Sequence, residues 1–133
     1  MDGTSAALVP VRVLVADDEE DIRLLVCLAV GKAGGTVVAA VPDGTEALRA
    51  AREERPALAV LDVSMPGATG LEVCAAVRAD PATAGCRVLL LSAGASPTDV
   101  ARGLAAGADA YLAKPFTVAG LVAQVRELTA GPA

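Results

Sequence analysis

Five short apolar runs punctuate this chain, at 11–16, 36–41, 57–62, 87–92 and 110–113, each rich in Val, Leu or Ala. The stretches between them are long enough for helices of about ten or more residues. A strand whose residues are almost all apolar has no face left for water. Such strands, alternating with helices, form a parallel sheet covered on both sides. The chain therefore reads as five βα units, without internal repeat or low-complexity segment.

The helix boundaries are written in the polar residues. Asp43-Gly44-Thr45-Glu46 resembles a capping box with aspartate as the cap, and Thr69-Gly70-Leu71-Glu72 fits the stricter form. Ser96 followed by Pro97 places a cap ahead of a proline at the first helical position. Val118, Leu121, Val122 and Val125 mark one buried stripe of the last helix. Gly34-Gly35 ends the first helix, and Pro56 separates the second helix from the third strand. With 133 residues, 54% of them hydrophobic, the chain is the size of one domain with a core of its own. The expected organisation is a flexible leader over 1–10, one domain over 11–130 and a short tail at 131–133.

Composition narrows the function classes. A net charge of -5, one Phe, one Tyr and no Trp argue against direct nucleic-acid binding, which needs clustered cations or stacking platforms. No apolar run approaches the roughly 18 residues of a membrane span, and no basic patch precedes an apolar stretch at the N-terminus. A cytoplasmic protein is the expectation. Cys27, Cys74 and Cys86 form no CxxC pair and read as buried thiols. The absence of any histidine removes Ser-His and Cys-His nucleophilic catalysis.

In open α/β sheets, ligands bind beyond the carboxyl ends of the strands. The polar residues there are few: Asp17, Asp18 and Glu19 after the first strand, Asp62 at the third, Ser92 at the fourth, Lys114-Pro115 after the fifth. Any one of these carboxylates alone is usually a cap or a turn former. Three acids, a hydroxyl and a lysine at the ends of four strands are hard to explain as capping. Two carboxylates about 4 Å apart repel by about 4 kcal/mol at an effective dielectric near 20. A divalent cation removes that repulsion, and hard oxygen donors without His or Cys favour Mg²⁺, or else Mn²⁺ or Ca²⁺. Such a site suits phosphoryl transfer, with a free carboxylate as the nucleophile.

Four segments carry a resemblance to a known family: Val13-Leu14-Val15-Ala16-Asp17-Asp18-Glu19, Leu61-Asp62-Val63-Ser64-Met65-Pro66-Gly67, Leu90-Leu91-Ser92-Ala93, and Gly107-Ala108-Asp109-Ala110-Tyr111-Leu112-Ala113-Lys114-Pro115-Phe116. In this order and spacing they resemble the receiver domain of two-component response regulators, of the chemotaxis-regulator kind, across about 11–130. The resemblance implies a flavodoxin-like (βα)5 fold, a doubly wound parallel five-stranded sheet in the order 2-1-3-4-5. It implies that Asp62 is the phosphoacceptor, that Asp17, Asp18 and Asp62 hold Mg²⁺, Asp18 more directly than Asp17, and that Ser64 gives the metal its backbone carbonyl. Ser92 and the backbone N–H of Ala93 would bind phosphate oxygens, Lys114 would pair with the phosphoryl group, and Pro115 would follow a cis bond.

It further implies a donor, a sensor histidine kinase, a histidine phosphotransfer protein or a small phosphodonor such as acetyl phosphate. Ser92 and Tyr111 would act as the switch. The readout would be the face made by the fourth helix, fifth strand and fifth helix, acting on a downstream protein, an output domain or a second copy. Such a protein is a phosphoacceptor switch, catalysing only its own phosphorylation and dephosphorylation. The Ala- and Gly-rich fourth helix (Ala101, Gly103, Ala105, Ala106, Gly107) reads as mobile. Ser64 and Gly94, both small, predict no long-lived shielding of the acyl phosphate. One position departs from the family: Thr69 stands where an acidic residue is usual, keeping the cap and losing a charge.

Other readings fit less well. A haloacid-dehalogenase-type phosphatase needs a second acid two positions after its nucleophile, which here is Ser64, or Glu19 if Asp17 were the nucleophile. A dinucleotide-binding module needs a GxGxxG after the first strand, which is missing. A degenerate receiver would not keep the whole acidic, hydroxyl and lysine set.

Overall fold

The computed structural model describes residues 10–130. The expected leader, apart from Pro10, and the expected tail lie outside the described residues. Ten elements alternate: β1 (Val11–Ala16), α1 (Glu20–Lys32), β2 (Gly35–Val41), α2 (Gly44–Glu54), β3 (Leu58–Asp62), α3 (Gly70–Ala79), β4 (Arg87–Ser92), α4 (Pro97–Ala105), β5 (Ala110–Ala113) and α5 (Val118–Thr129). The five strands form one parallel sheet in the order β2-β1-β3-β4-β5, as the receiver resemblance implies.

The near-continuous apolar strands are explained by the two cores they feed. Leu14, Ala59, Leu61, Val88 and Leu90 point to one face of the sheet, against Ala47 and Ala51 of α2 and Val73 and Val77 of α3. Their alternate neighbours Val13, Val15, Leu58, Val60, Leu89 and Leu91 point to the other face, against Val26 and Val30 of α1 and Leu121 and Val125 of α5. Each large side chain buried this way contributes about 1.5–3 kcal/mol. β3, wholly buried along its length, sits at the centre of the sheet.

The caps form where expected. Asp43 accepts from the Glu46 N–H, but the Glu46 carboxylate pairs with Arg49 and does not reach back to complete a box; Thr69 and Glu72 form the reciprocal box, and Ser96 accepts from Asp99. Thr117, accepting from Gly120, adds a cap the sequence reading did not name. α1 is the exception: Glu19 at its N-cap makes no side-chain bond. Asp17 Oδ1 instead accepts the Glu19 N–H at 2.9 Å. α4 differs from its expected description. It ends at Ala105, and Gly107 lies beyond it at φ +107, a left-handed turn that favours glycine. Gly103 is the only buried residue of α4, so this helix is held to the sheet by little side-chain packing.

Cys74 and Cys86 are buried and Cys27 is half-buried, all as free thiols. Burial pushes Cys86 up to about 11, which keeps it protonated and unreactive. No helix among the described residues is long and apolar enough to cross a membrane.

Candidate functional site

Strand order decides what meets what. β3 runs between β1 and β4, with Ala16 opposite Leu61 and Asp62 opposite Leu91. Asp17 and Asp18, one and two residues past β1, therefore arrive beside Asp62, and Ser92 arrives on its other flank. Carboxylate oxygens of Asp17, Asp18 and Asp62 all lie within 4.8 Å of one another. Asp17 is fully buried, Asp62 is 4% exposed, and Asp18 opens to solvent.

Lys114 reaches this cluster from beyond β5. Its Nζ lies 3.1 Å from Asp17 Oδ2, 3.3 Å from Asp62 Oδ1 and 3.5 Å from Glu19 Oε1. The Lys114 N–H donates to the Ser92 carbonyl at 2.8 Å, which ties the lysine's backbone to the end of β4. The Lys114–Pro115 peptide bond is cis, as the resemblance implies.

Asp17 is committed on every side. Its N–H donates to the Val41 carbonyl, its carbonyl accepts from Arg23 Nη1 at 2.9 Å, and its two carboxylate oxygens take Glu19 N–H and Lys114. Asp62 is less satisfied. Burial and the neighbouring Asp17 charge push it up to about 6, against the pull of Lys114 and a hydrogen bond from the Ser64 backbone. Burial works against the charge on Lys114, yet its hydrogen bond to Asp17 and the charges of Asp62 and Asp17 raise its pKa. One cation thus faces a surplus of carboxylates.

The helix that follows Asp62 is brought in close. A Cβ on Gly70 would lie 2.4 Å from the Asp62 carbonyl oxygen, so only glycine allows α3 to start against the end of β3. Asp18, Glu19, Asp62, Ser64, Ala93 and Lys114 together line a cavity of about 210 Å³. Ser64 also borders a second cavity, of about 290 Å³, whose walls include Thr69, Ser92, Asp99, Arg102 and Tyr111.

Ser92 and Tyr111 meet at Gly94 and not at the carboxylates. Ser92 Oγ accepts the Gly94 N–H at 3.0 Å, and the Tyr111 hydroxyl donates to the Gly94 carbonyl. The Tyr111 ring lies over Gly103, where a Cβ would come within 2.8 Å of ring atom Cδ2. Gly103, read from sequence as a helix-weakening residue, is a contact that makes room for the ring.

Sequence reasoning brought Asp17, Asp18, Asp62 and Lys114 to one place, and they meet there. It missed Arg23 holding the Asp17 carbonyl and Asp99 beside Gly94, and it named Glu19 at this edge without giving it a partner, which is Lys114. The first two contacts depend on loop paths that no sequence pattern announces.

The model of the response regulator receiver domain matches residues 13–126. The chain is 41% identical over 115 residues to the DNA-binding response regulator MtrA of Mycobacterium tuberculosis, covering 86% of this chain and 49% of MtrA. It is 48% identical over 118 residues to the transcriptional regulatory protein PrrA of the same organism, covering 88% and 49%. It thus spans about half the length of these relatives. Among solved structures, the signal receiver domain of a NarL response regulator from M. tuberculosis superposes with a TM-score of 0.85 at 37% identity, covering 92% of this chain and 98% of that one. The chemotaxis response regulator CheY4 of Vibrio cholerae superposes at 0.83 and 34%, covering 90% and 99%. By the family match along nearly its whole described length, this chain belongs to the response regulator receiver domains of two-component systems.

Proposed function

We propose that Asp62 accepts a phosphoryl group from a phosphohistidine, in a reaction that depends on Mg²⁺. The observation that carries this reading is the environment of Asp62: buried, holding its proton up to about 6, and 3.3 Å from the one lysine that reaches it. A structural carboxylate is not normally left so under-neutralised.

The residues fit a hard divalent cation. Three carboxylates converge within 4.8 Å, all donors are oxygen, and Lys114 alone does not balance them. Asp18 and Asp62 would hold Mg²⁺ (or Mn²⁺) directly, with the Ser64 carbonyl, while Asp17 contributes charge from its fully bonded position. When bound, the ion neutralises the carboxylates and the phosphoryl oxygens. The ionised Asp62 oxygen attacks phosphorus, the bond from phosphorus to the donor's imidazole nitrogen breaks, and the electron pair leaves with that nitrogen. Lys114 exchanges its contact with Asp62 for a phosphoryl oxygen. The Ser92 hydroxyl and the Ala93 N–H bind others, compensating charge as it spreads over the phosphoryl group.

These 133 residues contain no histidine, so the phosphoryl group comes from outside them: from a sensor histidine kinase, a histidine phosphotransfer protein or acetyl phosphate. The consequence is read through Gly94, which bonds both Ser92 and Tyr111. Recruiting Ser92 to the phosphoryl group breaks its bond to Gly94 and moves the loop on which Tyr111 and the lightly anchored α4 depend. A nearly complete population switch requires about 5.5 kcal/mol of differential interaction, within reach of a dianion meeting a cation, a lysine and a hydroxyl. The face of α4, β5 and α5 then controls a partner protein, an output domain or self-association.

Incubation with acetyl phosphate and Mg²⁺, read by intact mass, tests this reading. One added phosphoryl group, absent in Asp62→Ala and suppressed by EDTA, is the expected result. An unmodified wild-type chain would contradict it.

A further inference from the structure

We propose that Asp99 controls how fast the phosphoryl group is lost, by orienting the attacking water and taking its proton. The inference rests on Asp62 being the phosphoacceptor. The size of Gly94 alone suggested an unoccupied approach to the site. The structure fills that space from α4. A Cβ built on Gly94 would lie 2.7 Å from Asp99 Oδ2 and 3.7 Å from Ser92 Oγ, so the Asp99 carboxylate fills the space a side chain at 94 would take.

Asp99 is held there. Its N–H donates to Ser96 Oγ at 3.1 Å, and its Oδ2 accepts from the Ser96 hydroxyl at 2.9 Å. It borders the 290 Å³ cavity together with Ser64 and Ser92. Ser64 is also a wall of the Asp62 cavity, so the two spaces adjoin at that residue. The Asp62 carboxylate faces Lys114, which comes from beyond β5, and its neighbour Asp17 at the end of β1. Water that enters past Ser64 would come from the cavity that Asp99 borders.

In the step, the water oxygen bonds to phosphorus and the bond from phosphorus to the Asp62 oxygen breaks. That electron pair stays on the Asp62 carboxylate. The water proton passes to Asp99 and from there to the departing phosphate. A positioned base of this kind contributes a factor of about 100 or more, and an orienting group less.

The test is the decay of the phosphorylated chain after removal of acetyl phosphate, followed by intact mass. Asp99→Asn keeps the shape and the acceptor for Ser96, so α4 retains its cap. Its phosphoryl half-life is expected to lengthen about tenfold or more, with a smaller solvent isotope effect on decay. Gly94→Ala, whose methyl group displaces the Asp99 carboxylate, should lengthen the half-life as well, and the two changes combined should not add. An unchanged or shortened half-life in Asp99→Asn, or additive effects, would overturn the proposal. A wild-type chain that takes up no phosphoryl group would instead remove the phosphoacceptor reading, and this inference with it.

Discussion

Lys114 Nζ stands 3.3 Å from Asp62 Oδ1, although the lysine follows β5 and the aspartate ends β3, two strands away. The same ammonium lies 3.1 Å from the fully buried Asp17, so one cation from the sheet edge holds two carboxylates at its centre.

Replacing Lys114 by Met leaves those carboxylates facing each other without a cation. Breaking a buried pair from one side costs about 3–5 kcal/mol. Urea titration of metal-free Lys114→Met should show a loss towards the lower end of that range. Mg²⁺ affinity should rise, because the ion no longer competes with the ammonium, and saturating Mg²⁺ should recover part of the stability. Unchanged metal affinity would show that Lys114 does not contribute to the field at the site.

Asp62 makes the metal-free protein less stable as pH rises. Its native value of about 6 lies above the ordinary 3.8, so between those limits the folded chain keeps a proton that the unfolded chain has released. Stability attributable to this residue is present in full below about 3.8 and is lost by the time pH passes 6, a change on the order of 3 kcal/mol. Asp62→Asn removes the term. The stability difference between Asp62→Asn and wild type, measured without metal, should therefore grow in favour of the variant from pH 4 to pH 6.5. Mg²⁺ needs the ionised form, so its affinity for wild type should strengthen across the upper part of the same window. A flat difference would contradict the placement of Asp62.

Two glycines predict opposite outcomes for the same substitution. Gly31, inside α1, has nothing within 4 Å of a built Cβ, and Gly31→Ala should stabilise by about 0.5–1 kcal/mol. At Gly70 the methyl group would meet the Asp62 carbonyl oxygen and the Val63 backbone, which cannot yield as a side chain can. Gly70→Ala should destabilise by about 2 kcal/mol or more and weaken Mg²⁺ binding, since the end of β3 must move. Thermal melts with and without Mg²⁺ separate the two effects.

Arg78 binds the opposite end of the sheet. Its guanidinium donates to the carbonyls of Gly107, Ala84 and Cys86 and pairs with Asp109 at 2.6 Å, while the same Asp109 oxygen accepts the Val88 N–H. One side chain thus joins the end of α3, the start of β4 and the turn before β5. Arg78→Ala should cost about 2 kcal/mol or more by leaving those acceptors unpaired, with Mg²⁺ affinity unaffected at the far edge. Equal loss of metal binding would place Arg78 in the site's support.

The sequence read best where local chemistry and global burial agree. The apolar runs became strands because each feeds two cores, and Thr69, Asp43 and Ser96 cap because their oxygens sit where the first free N–H groups appear. Asp17, Asp62 and Lys114 were legible because a parallel sheet puts every strand's carboxyl end at one edge. What escaped were contacts made across space by residues with ordinary local roles. Arg78 looks like one more basic residue in the last turn of a helix. Gly103 looks like poor helix propensity until the Tyr111 ring is laid over it. Gly94 looks open until Asp99 is folded back from α4. Strand 2 starting at Gly35 and strand 3 at Leu58, each one residue from expectation, reflect hydrogen bonding at strand ends, where side-chain pattern is uninformative.

Asp62 is the proposed carrier of the phosphoryl group. Borohydride reduction of the protein after treatment with acetyl phosphate and Mg²⁺ converts an acyl phosphate on aspartate to homoserine, and peptide mass spectrometry locates it. Homoserine is expected at position 62 alone, and at no position when EDTA is present during phosphorylation. Homoserine at position 17 or 18, or at no position, would contradict it.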